Sequence, residues 1–242
     1  MKTLCFHSFK VGRANNLLLE IDSQQDDITL VPGLNLVVAP NGYGKSTLLQ
    51  TLAGVIKPLS GRISLLDSER NAESEYLPGR DALMISEYLT FPKFIFPDEW
   101  IEFMSGKKPL ASRMNPHWKG LRLEPLRDKY LGRMSQGERR KVTWLAAHSS
   151  ERPVLLLDEP LDGLDLLAID AARTLLKEWE AEGRIVLLIA HQISEVFDLS
   201  RQTLVFDQGR LKKWEKITGK NSSSIHSDEF RNWTHSYYSK TP

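Results

Sequence analysis

The sequence predicts an α/β fold built around a mostly parallel sheet, and three observations carry that expectation. The runs VLLLDEP (154–160) and IVLLIAH (185–191) are short and continuously apolar, the pattern of strands buried on both faces. A third short run, LNLVVA (34–39), is followed by a loop and then by apolar residues at helical spacing. Strands that alternate with helices need crossover connections, so the sheet is parallel, helices cover both of its faces, and ligands sit at the carboxyl ends of the strands.

Taken in order, the turn VPG leads into the strand at 34–39. The segment STLLQTLAGVIKP carries Leu48, Leu49, Leu52, Val55 and Ile56 on one helical face until Pro58 stops it. GRISLL returns as a strand. From about 77 to 150 prolines, tryptophans and phenylalanines are frequent and clean strands are hard to find, which predicts an inserted, mainly helical subdomain. Between the two later apolar strands, LLAIDAARTLLKEWEAEG is a helix closed by Gly183. QTLVFDQGRLKKW reads as a strand, a turn at 207–209 and a second strand. The main domain therefore spans 1–215, and 216–242 is a polar, Ser-rich, loosely held tail in which Trp233, Tyr237 and Tyr238 are docking candidates.

Composition narrows the partners. Acids and bases nearly cancel at a formal net charge of +1, so no global field draws the chain to nucleic acid or to an anionic membrane, and no nucleic-acid partner is expected. Cys5 is the only cysteine, which excludes an intrachain disulfide and a Cys-based metal site and fits a reducing compartment. The opening MKTLCFHSFK lacks the apolar run of a signal peptide. No apolar run approaches the roughly 20 residues that span a bilayer, so any membrane role comes through a partner.

The stretch APNGYGKST (39–47) joins the first strand to its helix. Backbone N–H groups in a tight turn, together with a helix N-terminus, cradle an anion. Asn41 lies in this turn, and Gly42 and Gly44 let the backbone approach phosphate oxygens. Lys45 supplies a charge for the β- and γ-phosphates, and the hydroxyl of Ser46, followed by Thr47, can ligate Mg²⁺. Ala39 stands where the general pattern has glycine, and its methyl group fits if the backbone there is ordinary. Asp158 ends its apolar strand, placed to hold Mg²⁺ through water, and Glu159 follows it, placed to orient or deprotonate an attacking water. On residues alone, Ser135 and Glu138 make a helix capping box, and the competing reading is a phosphate site with Gly137. His191 ends the next strand, either as a satisfied histidine or as a hydrogen-bond donor to a γ-phosphate.

Together these elements resemble the ATP-binding subunits of ABC transporters. APNGYGKST is similar to that family's Walker A, VLLLDEP to its Walker B with the catalytic glutamate, LDGLD (161–165) to its D-loop, and His191 to its switch histidine. MSQGE is similar to the signature LSGGQ, with Met134, Gln136 and Glu138 at the altered positions. The text TLAGVIKPLSGRISL also resembles the family's usual sequence after Walker A, and the likeness covers about 31–214. It implies a P-loop NTPase core with an N-terminal antiparallel β subdomain and an inserted helical subdomain. It further implies ATP and Mg²⁺ as ligands, hydrolysis with Glu159 and His191 in catalytic roles, and Ser135 and Gly137 facing the ATP of a second cassette. The expected partners are that second cassette and separate transmembrane permease subunits, which would hold the chain at the inner face of a membrane. An ATPase accessory to a membrane complex that moves no solute is the alternative. Long coiled coils, as in the DNA-repair and chromosome-organising relatives, and a second cassette, as in the translation-associated ones, are absent from the sequence.

Two departures stand out. The family carries a glutamine at the loop entering the helical subdomain, touching Mg²⁺ and the membrane partner, but no glutamine occurs between Gln50 and Gln136. The matching text is read as YLPGRDAL, with Gly79 at the expected place and Asp81 as a substitute Mg²⁺-side ligand. The family also stacks adenine on an early aromatic, for which Phe9 is the candidate, ahead of Phe6.

Overall fold

The computed structural model describes residues 2–13, 16–86, 89–106, 116–190, 193–214, 232–236 and 239. Among the described residues eleven strands form one sheet: β1 (Lys2–Arg13), β2 (Asn16–Ile21), β3 (Thr29–Leu30), β4 (Gly33–Val38), β5 (Ser60–Asp67), β6 (Ala72–Glu75), β7 (Ala82–Ile85), β8 (Val154–Asp158), β9 (Ile185–Ile189), β10 (Ser200–Asp207) and β11 (Arg210–Lys213). Their order is β6-β5-β1-β2-β11-β10-β4-β9-β8-β7, with β3 beside β1. From β10 to β7 every pairing is parallel, and around β1 the pairings with β2, β3 and β5 are antiparallel. The expected combination of a parallel core and an N-terminal antiparallel layer is therefore present.

Among the described residues six α-helices accompany the sheet: α1 (Lys45–Leu52), α2 (Pro78–Asp81), α3 (Pro97–Ser105), α4 (His117–Gly120), α5 (Gln136–Ser149) and α6 (Leu166–Ala181). Alternate residues of the central strands feed two cores, as the two-residue period of a strand requires. In β8, Leu155 and Leu157 join the core built with α3, α5 and α6, while Val154 and Leu156 join the core on the α1 side. In β9, Val186 and Leu188 divide from Ile185, Leu187 and Ile189 in the same way. The fully buried Asn35 is satisfied, since its amide nitrogen donates to Val31, Gly33 and Val186 carbonyls and its oxygen accepts from Gln202 and the Val31 N–H.

Two elements differ from the sequence expectation. α1 ends at Leu52, because Gly54 turns the chain with φ of +76° and leaves Val55 exposed. The stretch 77–150 opens with α2 and then β7, which pairs along β8, and among the described residues α3, α4, two short 3₁₀ turns and α5 follow. No helix among the described residues is long and apolar enough to cross a membrane. Tyr237 and Tyr238 lie outside the described residues, while Trp233 packs edge-on against the buried Trp214 at 5.9 Å.

Candidate active site

The loop between β4 and α1 is shaped by two left-handed glycines. Gly42 has φ of +86°, and Gly44, the residue before α1, has φ of +92°. A side chain on Gly42 would meet nothing within 4 Å, so the loop is open above this residue. The N-terminus of α1 has no side-chain cap and no acid in its first turn. Its first N–H groups, which no helical carbonyl can reach, face the same opening with the positive end of the helix dipole. Asn41 is exposed and Ser46 half-buried, while Thr47 is buried. Ala39 is not among the described residues with positive φ, so its methyl group sits on an ordinary backbone.

Lys45 folds back over this loop, donating to the carbonyls of Ala39 at 2.7 Å and Pro40 at 3.0 Å. Its residue exposure is 9%, against 2% for Asp158 and 6% for Glu159. Burial pushes the Lys45 ammonium below its ordinary value, and the charges of Glu159 and Asp158 pull it back upward. One buried cation and two buried acids thus share one electrostatic neighbourhood at the carboxyl ends of β4 and β8. Glu159 holds a φ of +49°, and its N–H donates to the Ile189 carbonyl of β9 at 2.9 Å. The donors gathered around Lys45 are a hydroxyl and two carboxylates, hard oxygen ligands that suit Mg²⁺. His191, which follows β9 and Ala190, lies outside the described residues.

A second constellation forms at the start of α5. Ser135 caps the helix: its hydroxyl accepts from the Glu138 N–H at 3.2 Å, and Glu138 Oε2 accepts from the Ser135 N–H at 2.7 Å. Lys129 pairs with the same carboxylate at 2.7 Å. A methyl group on Gly137 would lie 2.4 Å from the Gly163 carbonyl, so glycine is required for the close approach of the loop at 161–165. α5 then fastens that loop along its length. Arg140 Nη1 donates to the Asp162 carbonyl, Lys141 Nζ pairs with Asp165 at 2.5 Å, and Trp144 Nε1 donates to the Pro160 carbonyl at 3.0 Å. Sequence reading passed over Arg140, Lys141 and Trp144, although their spacing, with Trp144 three residues beyond Lys141 and four beyond Arg140, puts them on one face of the helix.

Two expectations are corrected. Asp81 does not approach the acids: it ends α2, immediately before β7, and β7 runs parallel to β8 with Ala82 opposite Val154. Four residues of strand separate that level from Asp158, about 13 Å at the usual rise. Both Asp81 oxygens are engaged, with Arg80 Nε at 2.7 Å, Arg80 Nη2 at 2.8 Å and the Leu77 N–H at 2.7 Å. The strand end beside Asp158 belongs to Ile85, opposite Leu157, and the next residue is Ser86, which the sequence reading missed. Gly79 therefore is not the position of the absent glutamine. Phe9 is 2% exposed and packs in the core against Phe6, with ring centroids 5.8 Å apart. Neither ring is presented to a ligand.

The fold and its glycine loop together define a P-loop nucleotide-binding domain. Residues 25–162 match the family model described as ABC transporter. A molybdenum import ATP-binding protein of Mycobacterium tuberculosis is 31% identical over 189 residues, which span 72% of this chain and 51% of that protein. The chain thus spans about half the length of that relative. An energy-coupling factor transporter ATP-binding protein of Thermotoga maritima is 31% identical over 193 residues, covering 76% of this chain and 72% of its own. A solved structure of an ATP-binding subunit of an ABC transporter superposes with a TM-score of 0.76 at 23% identity, over 96% of this chain and 99% of that one, a likeness of fold. The chain belongs to the ABC transporter family.

Proposed function

We propose that this chain binds and hydrolyses ATP and that the cycle of binding and hydrolysis powers a membrane transport complex through closure and opening of a cassette dimer. The observation that carries the reading is the buried Lys45 between an uncapped helix N-terminus and the Asp158–Glu159 pair. The loop N–H groups and Lys45 receive the phosphates, because an uncapped helix N-terminus and an ammonium group there both favour an anion. Glu159, anchored through its N–H to β9, holds and deprotonates the attacking water. Ser46 and Asp158 would hold Mg²⁺, whose chemistry is to neutralise charge on the phosphate oxygens.

The cassette is taken as residues 1–215, with the helical segment inserted ahead of β8. Ser135 and Gly137 sit at an exposed helix start, and in this reading they meet the ATP held by a second cassette across a two-fold axis. The capping box and that role are compatible, since Ser135 uses its hydroxyl as an acceptor in the cap and keeps its O–H for a phosphate oxygen. The inserted segment supplies the face toward permease subunits. Trp100 and Phe91 pack inward, whereas Phe103, against Trp100, and Phe94, against Tyr130, are 76% and 81% exposed. Rings held outward next to a packed aromatic core suit a hydrophobic partner helix.

Phosphate release from the purified chain tests the reading. Glu159→Gln keeps the shape and removes the base, so turnover falls by about 10²–10⁴-fold while ATP binding persists. Turnover within a factor of two of the unaltered chain rules Glu159 out as the base.

A further inference from the structure

We propose that His117, His148 and Glu178 form a binding site for a divalent transition cation of the zinc class. The cluster stands apart from the nucleotide loop. His148 lies in the last turn of α5, thirteen residues beyond Ser135 and so about 20 Å along the helix from it. Glu178 lies near the end of α6 and His117 starts α4, so each ligand comes from a different helix.

One donor atom from each residue lies within 4.8 Å of the others. His117 Nε2 is 3.0 Å and His148 Nδ1 3.9 Å from the same Glu178 Oε2. Metal–nitrogen and metal–oxygen bonds of about 2.0–2.2 Å around a tetrahedral zinc place its ligand atoms roughly 3.4 Å apart. The two separations bracket that value, and small side-chain rotations close the difference. The imidazoles meet edge to face with centroids 4.4 Å apart, and all three side chains are partly buried, so the cluster is held yet reachable from solvent. Trp179 Nε1 donates to His148 Nδ1 at 3.2 Å, which fixes that nitrogen in its lone-pair form, the form that ligates a metal. Binding transfers this lone pair from the indole N–H to the ion.

Two imidazoles and one carboxylate favour zinc, nickel or copper over magnesium and calcium. A three-ligand set leaves the fourth position to water. The bound ion would tie α4, in the inserted segment, to α5 and α6. The α5 helix begins at the signature and α6 begins at the loop it fastens, so the ion braces the far ends of both.

The test is a zinc chloride titration of the full chain, stripped with chelator and desalted, against a chromophoric competitor without nucleotide. One equivalent binds, and His117→Gln, His148→Gln and Glu178→Gln each weaken it at least about tenfold, with circular dichroism confirming the fold. His7→Gln leaves it unchanged, since His7 is occupied with Ser64 and Glu73 elsewhere. Equal zinc affinity in all variants, or no binding to the unaltered chain, overturns the proposal and leaves the cluster as a hydrogen-bonded joint. Should a variant fail to fold, cobalt(II) added to the unaltered chain decides. A visible absorption band of a low-coordinate site, displaced by one equivalent of zinc, supports the proposal, and the spectrum of the aqueous ion alone overturns it.

Discussion

Glu159 and Asp81 show how differently two acids are held. Glu159 occupies a left-handed backbone conformation that costs a non-glycine residue about 1–2 kcal/mol, and its N–H bond to β9 is one of the contacts that hold it there. Strain of this kind concentrates where a side chain must point in one direction for function. Asp81 is in a relaxed site. Burial works to raise its carboxyl, but hydrogen bonds from Arg80 and the Leu77 N–H and the charge of Arg80 outweigh that and hold it below the usual carboxylate range. Asp81→Asn should therefore lower stability by about 1–2 kcal/mol and leave turnover per folded molecule unchanged, which thermal unfolding and phosphate release measure together. A carboxylate with a depressed folded value contributes stability above the unfolded pKa near 3.9, and that contribution is lost as pH falls through the folded value. The gap in melting temperature between the two proteins should thus close below about pH 4, and a gap constant down to pH 3 contradicts the assignment. The charged and glycine residues of the phosphate loop were legible in the sequence because each is chemically unusual at its position. Phe9 was not, because an aromatic in a strand looks the same whether it faces ligand or core, and only the packing against Phe6 decides.

At the scale of elements, β7 was the hardest to read. ALMI is four residues long, too short for periodicity to declare itself, and the Pro-Gly pair before it suggests a loop. Tertiary pairing with β8 makes it a strand, and that single assignment moves the strand end from Asp81 to Ser86. The apolar runs of β8 and β9 were legible since full burial on both faces leaves no alternation to misread. The α5 helix was legible as a helix but not as a fastener, since its grip on the loop at 161–165 is a long-range contact. Gly137→Ala tests that grip. The added methyl group meets a backbone carbonyl that cannot rotate away, so the substitution should destabilise the protein by about 1–3 kcal/mol and slow turnover as well. An unchanged melting temperature with unchanged turnover contradicts the close approach of Gly137 to Gly163.

At the scale of the whole molecule, one sheet serves two ends. Its antiparallel strands carry no part of the phosphate loop, whereas the carboxyl ends of β4 and β8, with the Glu159 anchor on β9, gather Lys45, Asp158 and Glu159. A dimer that closes on ATP follows from the proposed role of Ser135 and Gly137. The Glu159→Gln chain, which binds ATP without consuming it, should sediment as a dimer with ATP and as a monomer without it, and a monomer in both conditions removes the two-cassette mechanism. Beneath every later step lies the claim that the loop around Lys45 binds ATP, and calorimetric titration of Mg·ATP into the unaltered chain and into Lys45→Ala tests it most directly. Saturable one-to-one binding to the unaltered chain is expected, with at least a tenfold weaker affinity, about 1.4 kcal/mol, in the variant; equal affinity in both would show that Lys45 does not hold the nucleotide.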